Sequence, residues 1–102
     1  MASSSIHKID GDEMGRIEDN GYVYDQGGEY LGKVVNDGSV YDHEGEYTGK
    51  VNFDGSVYNA AYEWVGTVRD DGVVLSVSGE DLGEIDSPHM QFGGGAFLLL
   101  FR

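Results

Sequence analysis

The chain has 102 residues, with 19 acidic side chains against 6 basic ones and a formal net charge of −13. That balance disfavours nucleic acid and anionic membrane as direct partners, because phosphates would be repelled. The absence of cysteine excludes disulfides and thiolate metal sites, and the longest apolar run, Ala96 to Phe101, is far shorter than the ~20 residues of a bilayer-spanning helix.

At the start of the chain, Met1 to Ile9 lacks the apolar stretch of a secretory leader, so a soluble, cytoplasmic protein is expected. Ser3 to Ser5 reads as a disordered polar terminus. Beyond it the chain is periodic. Gly15, Gly32, Gly49, Gly66 and Gly83 form one ladder and Gly21, Gly38, Gly55 and Gly72 a second, each with a spacing of 17 residues. Two ladders in phase define an internal repeat, and the repeat dictates the fold. One unit runs from Tyr30 to Glu46; the next begins Tyr47-Thr48-Gly49-Lys50-Val51, and another begins Trp64-Val65-Gly66-Thr67-Val68. Ile6-His7-Lys8 occupies the Val-Tyr-Asp slot of an earlier half-unit, and Leu82-Gly83-Glu84-Ile85 opens an incomplete last one. The reading is therefore four full periods with frayed ends.

Each unit carries two turn signals. Asn20-Gly21, Asp37-Gly38, Asp54-Gly55 and Asp71-Gly72 suit two-residue hairpin turns whose central residues both have positive φ. Asp25-Gln26-Gly27-Gly28 and Asp42-His43-Glu44-Gly45 suit a three-residue loop closed by a left-handed glycine. Tyr62 stands where the third copy of that loop should have glycine, so this copy is expected to differ. The β-branched and aromatic runs between turns read as strands. The inferred register puts Tyr41 opposite Tyr47, Val40 opposite Thr48 and Val51 opposite Tyr58. One face then collects Tyr41, Tyr47, Gly49, Val51 and Tyr58, and the other Val40, Thr48, Lys50 and Val57. Gly32, Gly49 and Gly66 lie two residues from Tyr30, Tyr47 and Trp64 and are read as packing devices that leave room for a ring. Eight to ten antiparallel strands follow, and closure removes their aggregation-prone edges. An all-β, shallow pseudo-fourfold antiparallel barrel of hairpins is expected, with a flat solenoid as the alternative.

The period stops after Ile85. Ser87-Pro88 is a breaker pair and Gly93-Gly94-Gly95 a flexible hinge. Phe97, Leu98, Leu99, Leu100 and Phe101 would invite aggregation if exposed, so they are expected to enter the barrel as a plug or a closing strand. Residues 1–102 thus read as a single repeat domain, with repeats over about 6–86 and an apolar C-terminal segment over 90–102.

The tandem Gly-Lys-Val, Asp-Gly-Ser-Val-Tyr-Asp and Gly-Glu-Tyr strings, followed by a glycine-rich apolar end, resemble the four-fold beta flower family over residues 6–101. The resemblance implies a shallow, square, hairpin-built barrel of uncharacterised function. A shape similarity suggested between that family and tubby-like domains would imply lipid or membrane contact through the apolar C-terminus. The Tyr-Asp strings are also similar to the YD repeats of large toxin shells, which are longer and differently spaced.

Site candidates are few. A carboxylate recurs at Asp12, Glu29, Glu46, Glu63 and Glu80. In a closed barrel these form a rim ring, either an oxygen site for a divalent cation or solvated residues that discourage edge pairing; the second reading is preferred. Tyr24, Tyr41 and Tyr58, with Tyr30, Tyr47 and Trp64, form aromatic stripes suited to stacking on sugars or basic peptides. Core packing across strands is the preferred account of them. His7, His43 and His89 occupy unrelated slots and read as surface or loop residues. No catalytic constellation, metal site or cofactor is expected. The expected function is a non-enzymatic acidic binding module of unknown protein partner, a basic surface being one option, its oligomeric state left open. The alternatives are an inhibitor mimicking nucleic-acid charge and a lipid-surface binder.

Overall fold

A computed structural model describes residues 3–86 and 90–101. Ten strands, β1 (Ser3–Lys8), β2 (Glu13–Glu18), β3 (Tyr22–Asp25), β4 (Tyr30–Val34), β5 (Ser39–Asp42), β6 (Tyr47–Val51), β7 (Ser56–Asn59), β8 (Trp64–Val68), β9 (Val73–Leu75) and β10 (Asp81–Ile85), are followed by helix α1 (Met90–Leu100). Every strand pairs antiparallel with its sequence neighbour, and β1 closes the ring on β10, with Ile6 opposite Ile85. The barrel is an all-β closure of five hairpin blades, β1–β2 to β9–β10, rather than the four expected. The terminal half-units are whole blades. Val73-Val74-Leu75 replaces Ser-Val-Tyr in β9, and Ser3 to Ser5 belong to β1, with Ser4 fully buried, instead of forming a loose end. Closure removes both free edges, which a solenoid would keep.

Both turn types share one backbone. In Val35–Ser39 the Gly38 N–H donates to Val35 O at 2.8 Å and Val35 N–H to Ser39 O at 2.9 Å. In Asp42–Glu46 the Gly45 N–H donates to Asp42 O and Asp42 N–H to Glu46 O, both at 2.9 Å. Each is a three-residue loop ending on a left-handed glycine, and the Asn and Asp residues of the Asx-Gly pairs do not take positive φ. Each of these Asx-Gly turns is one residue longer than expected, so Val51 faces Val57 and not Tyr58. A bulge at Thr48 moves Val40 opposite Gly49 while Tyr41 stays opposite Tyr47. These two corrections regroup the expected faces, moving Gly49 and Val51 to the side of Val40 and Val57 and Lys50 to that of the tyrosines. Val40, Gly49, Val51 and Val57 point inward; Tyr41, Tyr47, Lys50 and Tyr58 lie on the outer wall.

The core is a ring of Ile6, Ile17, Val23, Val34, Val40, Val51, Val57, Val68, Val74 and Ile85 around α1, which contributes Ala96, Phe97 and Leu99. The plug is thus a helix and not a closing strand, and Gly93-Gly94-Gly95 lie inside it instead of acting as a hinge. A ten-strand ring is too wide for its own side chains to fill, and a helix about 10–12 Å across suits the lumen. The glycines thin α1 where it passes Ile85, Val68 and Val51. Past them, five consecutive side chains each take one blade. Phe97 lies over Gly83, Leu98 over Gly66, Leu99 over Gly49, Leu100 over Gly32 and Phe101 over Gly15. The first glycine ladder therefore makes room for plug side chains, phenylalanine rings at two blades and leucines at three. The second serves the rim: Gly21, Gly38, Gly55 and Gly72 accept the N–H of Val34, Val51, Val68 and Ile85 at 2.8–2.9 Å, stitching each blade to the next. The Ser87-Pro88 breaker and His89 lie outside the described residues.

Candidate functional site

With the lumen filled by α1, surface chemistry lies on the outer wall and the two rims. The wall is built by the parity just described. The residue after each ladder glycine points outward and meets the residue opposite it on the neighbouring strand. In three successive pairs this places a cation against a tyrosine: Arg16 opposite Tyr24, Lys33 opposite Tyr41 and Lys50 opposite Tyr58. The Arg16 guanidinium lies 4.7 Å from the Tyr24 ring centroid and the Lys33 ammonium 6.0 Å from that of Tyr41, cation–π distances for both. The remaining positions carry Thr67 opposite Leu75 and Glu84 opposite His7, so the pattern covers one side of the barrel only.

Further rings extend this side. Tyr22 and Tyr24 flank Tyr30 with centroids 5.4 and 5.9 Å away, and Tyr41 and Tyr47 lie 5.9 Å apart, edge to face. Partial burial, then the neighbouring phenols Tyr22 and Tyr24, raise the Tyr30 hydroxyl above its ordinary pKa. Tyr47 is raised likewise, by burial first and then by Tyr62, Tyr41 and Asp37. These aromatic pairs are cross-strand contacts, but they sit on the outside: Tyr22, Tyr30 and Tyr47 each keep 39% of their surface exposed and Trp64 47%. The expectation that the stripes form core is therefore corrected; the inward positions are filled by valine and isoleucine.

Tyr47, Lys50, Asn52, Tyr58 and Tyr62 line a surface groove of about 400 Å³ along the β6–β7 seam. Tyr62 is the unexpected member. Its loop keeps the geometry of the others, with Tyr62 N–H donating to Asn59 O and Asn59 N–H to Glu63 O, both at 2.9 Å. Tyr62 itself takes the left-handed conformation, φ 64°, which glycine holds at Gly11, Gly28, Gly45 and Gly79 in the equivalent loops. The sequence marked this position as a departure but gave the wrong consequence: the side chain changed and the backbone did not.

Asp12, Glu29, Glu46, Glu63 and Glu80 end the five equivalent loops of one rim, all exposed. The carboxylates that converge belong to a single loop: ligand atoms of Asp42, Glu44 and Glu46 lie within 4.8 Å of one another. Asp42 Oδ1 already accepts the N–H groups of Glu44 and Glu46 at 2.9 and 3.0 Å, a loop-closing role. His7 Nε2 is 3.4 Å from Asp86 Oδ2, and His43 is exposed in its loop.

A family model described as the 5-fold beta-flower protein matches residues 3–96, which takes in all ten strands and the first half of the plug. The chain belongs to the 5-fold beta-flower family. The resemblance to a beta flower holds, and the repeat count is corrected from four to five by both the family match and the strand order. No curated protein and no solved structure matches the chain. The beta-flower family is not a known enzyme family. In this beta flower, no helix among the described residues is long and apolar enough to cross a membrane.

Proposed function

We propose that the chain is a non-enzymatic, cytoplasmic binding module that engages a basic protein surface through its acidic loops and outward-facing tyrosine wall. One observation carries the reading: the aromatic residues of the repeat are spent on the outside of the barrel, where Tyr47 and Trp64 remain 39% and 47% exposed, while the interior is filled by α1. Exposed aromatic side chains in an otherwise charged surface are the composition of protein interfaces. The net charge of −13 supplies steering toward a basic partner and repels nucleic acid. The apolar segment on which lipid contact would depend is committed to the core, with Ala96, Phe97 and Leu99 buried.

The test is affinity capture on the immobilised chain at low and high salt, repeated with Tyr47 and Tyr58 changed to serine. A partner that is retained at low salt, released by salt and lost with the serine variants supports the reading. Retention that ignores both salt and the tyrosines refutes it. Release of the partner by added duplex DNA would move the reading to mimicry of nucleic-acid charge.

A further inference from the structure

The groove along the β6–β7 seam differs from every other part of the wall in having Tyr62 at its rim end. The other four blades place a left-handed glycine there, and a bulky aromatic residue with positive φ is a strained choice. Such strain clusters at binding and catalytic sites, which makes this position a candidate for one. Tyr62 is 82% exposed, so no packing in the fold requires its ring.

The chemistry of the groove is aromatic and rich in donors. Tyr47, Tyr58 and Tyr62 supply flat faces and hydroxyls, and Lys50 supplies an ammonium that can only donate. The Tyr47 hydroxyl is a donor at neutral pH, and partial burial, then the neighbouring phenols Tyr62 and Tyr41, raise its pKa further. The complementary ligand offers flat or puckered apolar rings and acceptors without donors. A proline-rich strand in the polyproline II conformation meets this description: its carbonyls are unpaired and its residues lack N–H groups. Aromatic-lined grooves are a recurring way of binding such strands. Glu46 directly precedes Tyr47 and Glu63 directly follows Tyr62 in the chain, and Asp42 and Glu44 share the loop of Glu46, so basic residues beside the prolines would be attracted. A neutral sugar carries no positive charge, so the acidic rim attracts it less than it does a basic peptide.

We infer that the Tyr47–Lys50–Tyr58–Tyr62 groove binds a proline-rich polypeptide segment flanked by arginine or lysine. The inference rests on the reading of the chain as a binding module and names the partner's chemistry at that site.

The experiment is a titration of the isotope-labelled chain, followed by amide NMR shifts, with an octaproline peptide carrying a terminal arginine pair. The controls are the same arginine pair on a glycine-serine peptide, and cellohexaose. Saturable shifts at Lys50, Asn52, Tyr58 and Tyr62 with the proline peptide, at least about tenfold tighter than with the glycine-serine peptide, are expected, as a loss of hot-spot contacts would give. Tyr62→Gly restores the residue type of the other blades, so it folds, and it should weaken the proline peptide about tenfold while leaving its thermal transition intact. Val77→Ser, in the exposed β9–β10 loop away from the tyrosine wall, should leave the affinity unchanged. Equal binding of both arginine peptides overturns the groove and leaves the acidic module standing. Shifts with cellohexaose alone, no saturable shift with any probe, or full affinity in Tyr62→Gly likewise overturn it.

Discussion

Gly94→Ala tests the seating of the plug, because the ordinary expectation for this change has the opposite sign. In the middle of a helix, glycine to alanine gains about 1 kcal/mol from helix propensity. Here the added Cβ would overlap Val68 Cγ2 and sit 2.8 Å from Cγ1 and 2.9 Å from Cβ of the same side chain. Both methyls of Val68 lie close, so rotating its side chain relieves one contact by worsening the other. Its backbone is held too, since the Val68 N–H donates to Gly55 O at 2.8 Å. Either α1 or β8 must move. Overpacking of a filled core costs about 1–3 kcal/mol, and an overlap with both branches of a valine belongs at the upper end. Setting about 3 kcal/mol of strain against about 1 of propensity leaves a net loss of about 2 kcal/mol. For a domain of this size that lowers the melting temperature by about 8–16 °C. Thermal and urea unfolding followed by circular dichroism measure it. Val68→Ala removes both methyls, so the double variant should be more stable than the sum of the single changes by about 1 kcal/mol or more. Gly27→Ala is the control: its Cβ meets only Asp25 Oδ1 at 3.5 Å, and stability should stay within about 0.5 kcal/mol. A Gly94→Ala protein that melts at or above the parent temperature would refute the helix-in-barrel packing.

Removing residues 96–102 should abolish the cooperative melt and expose dye-binding apolar surface, because the inward ring of valines and isoleucines loses its filling. Tyr62→Gly should raise stability by about 1 kcal/mol, the cost of a left-handed non-glycine residue, read as a higher urea midpoint. Asp37 and Asp54 each accept a backbone N–H two residues on, from Ser39 and Ser56, and these bonds lower both carboxyls below 3.8. A lowered folded pKa stabilises fully above the unfolded value and is lost as pH falls through the folded one. Melting temperature should therefore fall below about pH 4, and less steeply in an Asp37→Asn, Asp54→Asn double variant, whose amides accept the same bonds without titrating.

The two glycine ladders were enough to read strands, hairpins and closure from sequence, because each glycine answers a local demand that recurs once per blade. Face assignment was not legible. Thr48 is a bulge residue and Val35–Ser39 a longer turn than its Asp-Gly pair suggests, and each changes which side chains point inward. The blade count failed at the ends for a related reason: Ser3 to Ser5 lack strand composition and owe their conformation to pairing with Arg16, Ile17 and Glu18. The helix left no periodic signal because it is surrounded by blades, and a segment apolar on every side has no stripe to detect. Of the candidate site, the tyrosines were visible in the sequence, but their outward direction depended on the same bulges. Tyr62 was visible as an exception, and only the preserved hydrogen bonds of its loop revealed that the backbone tolerates it.

The plug follows all ten strands in the chain. During synthesis the blades leave the ribosome first, and a hollow ring with its valines facing water cannot be the stable state of the nascent chain. The stretch that every blade must grip emerges after all of them, so the folding of the barrel waits until the plug has been made. A ribosome stalled short of Phe97 would hold a sticky, unfinished ribbon, a natural client for chaperones.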